Sequence, residues 1–479
     1  MAAEMLTEEE AHAALERETQ TLDETPVTAR DFWAYLPGHS YIFTPTRELW
    51  PGSSVNASCR GVFNDDGSPV MKTVPRKKKG GAVEFEDVPV SATEWLDQQR
   101  AVEQMTWAPG MPMIIEGRLI SGGGWIERPG CRTFNLYQPP PTLSGDPSEA
   151  GPWLAHLQRV FPEEAAHITK WLAYRIQHPG EKINHALVFG GDEGIGKDTI
   201  LEPIRYTVGP WNVSEVSPQQ ILGRFNSYVK SVILRVSEAR DLGEIDRYAL
   251  HEHLKTLIAA PPDVLRCDEK NLREYSVLNV CGVIITTNHV DGIYLQSDSR
   301  RYFVAWSELV KENFPPHYWQ DLYHWYHSEG GIGHVAAYLG SFDLSDFDPK
   351  APPPKTAAFW RVVNAGRAPE DAELADALEL LKTARDPNSK PPAPLPALTI
   401  SMVASYASES FRAWLTDRKN SRQIPHRMKS AGYVAVPNDA AQDGLWKVDG
   451  KRQVIYSQRE LPLLQQRGAA TALVESGRQ

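Results

Sequence analysis

Hydrophobic positions in the middle of the chain fall into short, nearly continuous runs. Ala186–Phe189 is one, Val232–Val236 within Ser231–Glu238 is another, and Val280–Ile285 is a third, broken only by Gly282. Runs of this length, closed by glycine, asparagine or a carboxylate, read as buried strands. Ahead of them the period changes. Trp153, Leu154, Leu157, Val160 and Phe161, then Ile168, Trp171, Leu172 and Ile176, recur at helical spacing, and Pro162 divides them into two helices. Ala92–Gln104 reads as a helix opened by Ser91, and Asp246–Leu257 as an amphipathic helix. Residues 31–50 alternate aromatics with turn residues, a pattern of short strands. Residues 107–142 are rich in Gly and Pro and close on Pro139–Pro141, a boundary signal. Two strand-like runs, Val264–Cys267 and Leu272–Val277, flank the polar Asp268–Asn271, which predicts a hairpin with Lys270 near its tip. Pro203 falls inside the helix expected after residue 196, where it should kink or end it. The proline-rich stretch 386–396 reads as a linker, with a helix at Ser401–Arg418 and strands at Gly444–Val448 and Arg452–Tyr456 beyond it.

Composition narrows the class. At 479 residues the chain has room for two to four domains, and its 41% hydrophobic and 23% charged content is that of a globular protein. No apolar run approaches about 18 residues, so no transmembrane helix is expected. Met1–Asp23 is acidic and alanine-rich, unlike a signal peptide. Cys59, Cys131, Cys267 and Cys281 form no C-x-x-C pair, which points away from zinc and disulfides and towards a cytoplasmic setting. With 61 acidic and 50 basic residues, the net charge of −11 argues against a purely electrostatic nucleic-acid binder. A local basic channel remains open, because a few placed cations suffice. The run Arg76–Lys79 reads first as a solvated loop.

The chemistry is densest just after the first buried strand. Gly191-Asp192-Glu193-Gly194-Ile195-Gly196-Lys197-Asp198-Thr199 has the G-x-x-x-x-G-K spacing of a phosphate-binding loop between a strand and a helix. Glycines let backbone N–H groups approach phosphate oxygens, the helix start adds unpaired N–H groups, and Lys197 reaches the β/γ-phosphates. Ser or Thr normally follows the lysine and binds magnesium. Here Asp198 stands there with Thr199 next, and either can hold the metal. Glu238, closing a strand-like run about 40 residues on, fits a carboxylate that orients magnesium or the attacking water. Asn288 closes another buried strand, and Arg300 and Arg301 follow as candidate fingers on a neighbour's nucleotide.

The order of these elements, with Asp268-x-Lys270 ahead of Thr-Thr-Asn288 and Ser-Arg-Arg, resembles superfamily 3 DNA helicases. The likeness is strongest to phage and prophage primase-helicase proteins that share the Gly-x-Gly-Lys-Asp-Thr loop. It covers residues 150–310. It implies an α/β fold with an AAA+-type P-loop parallel sheet, a hexameric ring, ATP and Mg²⁺ between subunits, and catalysis by Lys197, Glu238, Asn288 and Arg300 or Arg301. It also implies that Lys270, with Asn271 and Arg273 beside it, meets single-stranded or forked DNA. The C-terminal pattern of helices followed by a β-hairpin resembles a winged-helix domain, which would aim Arg422, Arg427 and Lys429 at DNA. The expected organisation is an acidic lead (1–30), an α+β region (31–142), the P-loop core (150–310), a helical extension (311–385), a linker (386–397) and the winged-helix-like part (398–479). A partner primase or polymerase is expected, since no primase constellation is seen.

Three functions compete. The first is an ATP-dependent replicative DNA helicase. The second is a DNA-dependent ATPase that does not unwind, such as a loader, switch or defence ATPase. The third is an oligomeric scaffold binding an origin or a primase.

Overall fold

The computed structural model describes residues 27–59, 61–77, 83–237, 247–290, 292–365, 369–385, 393–421 and 423–476. Its centre is a five-stranded parallel sheet in the order Val213–Val216, Ile233–Val236, Gly282–Thr287, Ala186–Gly190, Tyr302–Trp306. Successive strand residues face opposite sides of a sheet. Leu187, Val188 and Phe189 are all buried, as are Val283, Ile284 and Ile285, so both faces are covered. That is the physical reason for unbroken apolar runs in place of alternation. The chain starts near one side at Ala186–Gly190, crosses to the far edge and returns strand by strand. It then passes to the other edge at Tyr302–Trp306. The segments after residues 190, 236 and 287 therefore all leave from the carboxyl end of the sheet, where open α/β sheets bind ligands.

Of the two outcomes expected at Pro203, ending does not occur: the helix Lys197–Val208 runs through it. Proline has no N–H to give the carbonyl of Thr199, four residues back. The buried Tyr326 hydroxyl donates to that carbonyl instead, at 3.1 Å. Tyr326→Phe is therefore expected to strand a buried acceptor at a cost of about 1–3 kcal/mol. The measurement is the denaturant midpoint, which should fall with the slope unchanged.

Other elements shift for tertiary reasons. Pro162 does separate two helices, Gly151–Val160 and Ala165–Gln177. Ser91 caps its helix by accepting from the Glu94 N–H at 3.3 Å. That helix, however, stops at Gln99 instead of Gln104. Ala101–Val102 pairs with Ala34–Tyr35, and Gln104–Thr106 with Thr133–Asn135, so strand partners far along the chain claim these residues. Buried side chains form one continuous cluster from Tyr35 to Val363, and packing carries across the expected boundary at Pro139–Pro141. No helix among the described residues is long and apolar enough to cross a membrane.

Towards the C-terminus, Leu374, Leu378 and Leu381 of helix Pro369–Arg385 pack with Leu398, Val403, Phe411 and Met428. The expected linker thus joins two parts of one packing unit; residues 386–392 lie outside the described residues, as do 1–26 and 78–82. The helix expected at Ser401–Arg418 is two, Ile400–Tyr406 and Glu409–Thr416, the second capped by Ser408. The strand expected at Arg452–Tyr456 is divided. Lys451–Gln453 pairs with Trp446–Val448, while Ile455–Gln458 lies between Ala397–Thr399 and Tyr433–Val436.

Candidate functional site

Residues 191–196 bridge the end of Ala186–Gly190 and the start of helix Lys197–Val208. Two glycines are required there by geometry. Gly191 and Gly196 have φ of +133° and +83°, and a Cβ on Gly196 would lie 2.6 Å from the rings of both His156 and Trp319. His156 holds this junction. Its Nε2–H donates to the Gly196 carbonyl at 3.0 Å, and its Nδ1 accepts from the Tyr318 hydroxyl at 2.9 Å. Burial lowers its pKa, which suits the neutral tautomer these partners demand. Ile195 is fully buried and anchors the loop through its side chain.

Lys197 is 7% exposed. Its ammonium donates to the carbonyls of Gly191 at 2.6 Å and Asp192 at 2.7 Å, and to the Asn288 Oδ1 at 2.8 Å. Burial lowers its pKa, and the nearby Asp198, Asp192 and Glu193 offset that fall. Asn288 reaches the lysine because strand Gly282–Thr287 is the neighbour of Ala186–Gly190, and Thr287 turns the chain by bonding the backbone of His289. Of the residues named from sequence, Glu193, Gly194, Gly196, Lys197, Asp198, Thr199 and Asn288 thus line one cavity of about 1040 Å³. Glu238 lies outside the described residues; Ser237 just before it lines the same cavity.

Five lining residues, Glu215, Arg235, His289, Trp319 and Tyr323, were not assigned to the site from sequence. Arg235 lies on Ile233–Val236, with Nη2 2.5 Å from Asp198 and Nη1 3.6 Å from Glu215. Trp319 and Tyr323 come from helix Tyr318–Ser328. Arg235 breaks an apolar run, and that interruption was the available signal. The two aromatics lie in a cluster with Trp325 and Tyr326, a composition more often found in a core than in a binding site. Of the three candidate metal donors, the two among the described residues, Asp198 and Thr199, have side-chain neighbours. Asp198 is paired with Arg235, and the Thr199 hydroxyl lies 3.3 Å from that of Tyr323. Among the described residues no group of three His, Cys, Asp or Glu side chains comes together.

Arg300 and Arg301 stand at the other end of the sheet. The Arg301 carbonyl accepts from the N–H of Ala186, the first residue of the strand that ends at the glycine loop. A strand of that length separates the arginines from their own loop by roughly 16 Å. Arg300 is exposed, whereas Arg301 is half-buried with an unpaired, buried Nε.

The expected hairpin is present, with Val264–Cys267 paired to Tyr275–Leu278. Its connection is longer than the four residues expected, spanning 268–274 with Asn271 at φ +65°. Acidic groups there are neutralised: Asp268 pairs with Arg224 at 3.1 Å and Glu269 with Lys230 at 2.6 Å. Lys270, Asn271 and Arg273 are exposed. Asn226 fastens a second loop to this tip, donating to the Arg266 carbonyl and accepting from the Asp268 N–H. That loop exposes Phe225 beside Arg224. On helix Ile424–Ser430, Lys429 is exposed. Arg427 turns inward, 3.2 Å from Glu370, 2.6 Å from Asp371 and over the Trp414 ring. Arg422 lies outside the described residues.

Residues 188–301, which span the glycine loop, the hairpin and the arginine pair, match the model of a family of unknown function, DUF5906. Over 193 residues the chain is 24% identical to the DNA primase-polymerase of Nitratiruptor phage NrS-1. The match takes in 39% of this chain and 26% of that protein, so the chain spans about a quarter of the curated relative. The fold is similar to the apo C-terminal region of NrS-1, with a TM-score of 0.57 at 14% identity, covering 89% of this chain and 95% of that one. A second apo structure of that region gives 0.56 at 15% identity, covering 89% and 96%.

Proposed function

We propose that this chain is the motor part of a phage-type replication protein: an ATP-driven DNA helicase working as a ring. The observation that carries the reading is the Lys197 ammonium, pinned between carbonyls of a glycine loop and Asn288 at the carboxyl end of a parallel sheet. A triphosphate entering the cavity would replace those carbonyls with its own oxygens, and the cation would then meet the β/γ-phosphates. The phage primase-polymerase likeness supports a replication setting.

In this reading Asn288 positions the attacking water or senses the terminal phosphate. Glu238 activates or orients that water. Asp198, Thr199 and Glu238 are the oxygen donors available to Mg²⁺, which would neutralise the triphosphate and polarise its terminal phosphoryl group. Arg235 contacts Asp198 through Oδ1, which leaves Oδ2 for that role. Arg300, the exposed member of its pair, is the finger on a neighbour's ATP.

DNA meets the hairpin. With its acids paired, the tip presents Lys270 and Arg273, and Phe225, on the loop that Asn226 fastens to it, offers a stacking face. Lys429 is a further candidate for the DNA backbone, while Arg427 braces the C-terminal helix against Pro369–Arg385. Replacing Lys270 and Arg273 together by alanine is expected to weaken binding to all DNA sequences alike. The slope of log affinity against log salt should fall by roughly one for each phosphate that the variant no longer neutralises. An unchanged slope in fluorescence-anisotropy titrations would make the hairpin structural.

The deciding experiment is unwinding of a forked duplex with and without ATP, alongside light scattering. Strand separation by an ATP-dependent ring supports the helicase. DNA-stimulated hydrolysis without separation leaves a loader or switch, and absence of hydrolysis leaves a scaffold.

A further inference from the structure

We propose that Trp319 and Tyr323 form the wall that receives the base of a nucleoside triphosphate; this rests on the nucleotide reading of the glycine loop. The two residues are one turn apart on helix Tyr318–Ser328 and so share a face. Both line the cavity that holds Lys197 and Gly196.

Each ring is held in advance. The Trp319 indole is pressed against the loop at Gly196 and braced from behind by Phe314, at 4.7 Å between centroids, Tyr318 at 5.1 Å and His156 at 5.6 Å. Tyr323 lies parallel to His327, at 6.2 Å and 11°, and its hydroxyl is 3.3 Å from Thr199 Oγ1. Tyr323 nevertheless remains 39% exposed. A large ring fixed in place, facing a cavity and left uncovered is what a stacking partner requires.

The order of groups along a nucleotide supplies the match. If the terminal phosphates sit at Lys197, the α-phosphate falls beside the first helical turn, which Thr199 closes. The nucleoside follows on the side where Tyr323 stands. Stacking on an aromatic face needs no particular base edge, so the wall contributes affinity for the nucleoside as such.

Calorimetric titration of the full chain with ATP and with inorganic tripolyphosphate, both with magnesium, separates base from phosphate. Tyr323→Ala should lower ATP affinity roughly ten- to hundredfold while leaving tripolyphosphate affinity unchanged; Trp319→Ala, which also removes the indole packed against Gly196, should lower ATP affinity by at least as much. Tyr323→Phe keeps the ring and should restore ATP binding to within about twofold of wild type. Trp319 also packs in the interior, so Tyr323, more exposed, keeps the test valid should Trp319→Ala fail to fold. Equal losses for both probes, or no loss for either, in Tyr323→Ala would overturn the wall alone, as would an ATP loss in Tyr323→Phe equal to that of Tyr323→Ala. Wild-type protein binding neither probe would overturn the nucleotide reading itself.

Discussion

Lys197→Ala is expected to abolish ATP hydrolysis while the chain still folds. The lysine is the cation best placed against a bound triphosphate, and its ammonium already sits among oxygens that a phosphate would displace. Removing one preorganised group that stabilises charge in a transition state typically costs ~10²–10³ in rate. The fold should survive because the loop is anchored by other residues. Ile195 is buried beneath it, His156 holds the Gly196 carbonyl, and the strand before it is paired on both sides. Steady-state phosphate release, with thermal unfolding as the control for folding, makes the test. Hydrolysis near the wild-type rate in a folded variant would reject the loop as the catalytic site.

Arg300→Ala or Arg301→Ala is expected to be as severe, but by a route that passes through another subunit. An arginine finger typically accounts for ~10³–10⁵ in rate in phosphoryl-transfer proteins. These arginines precede strand Tyr302–Trp306, at the amino end of a sheet whose carboxyl end carries the glycine loop. A separation of roughly 16 Å within the subunit exceeds the reach of an arginine side chain. If either acts on ATP, it acts on a neighbour's. At least one variant should then be inactive alone yet regain hydrolysis when mixed with inactive Lys197→Ala protein, since some interfaces pair an intact loop with an intact finger. Exposure favours Arg300 for this role and makes Arg301 the brace. Mixed oligomers that form but stay inactive would show that the site is not shared, and the ring mechanism would lose its main support.

Both tests begin from residues that local sequence exposes, because the constraints on them are local. A strand covered on both faces must be apolar at every position, so Ala186–Phe189 and Val283–Ile285 stand out unaided. A turn at positive φ calls for glycine, so the loop carries its spacing openly. Proline cannot continue the hydrogen-bond ladder, so the break at Pro162 was visible. At Pro203 the helix continues, and the missing donor is supplied by Tyr326, 127 residues on from the Thr199 carbonyl it serves.

What the tertiary structure alone decided is who stands opposite whom. Asp198 looked free to take a metal until folding set Arg235 against it across 37 residues. Trp319 and Tyr323 share an apolar helical pattern with core residues, and only packing against the loop leaves them facing a cavity. Arg427 reads as a surface cation on a basic helix, yet Glu370 and Asp371 draw it inward. Secondary structure and turn chemistry follow from steric and hydrogen-bonding limits within a few residues, and the chain states them directly. Charge pairing and cavity lining depend on distances between segments far apart in sequence, which exist only once the sheet has set its strand order.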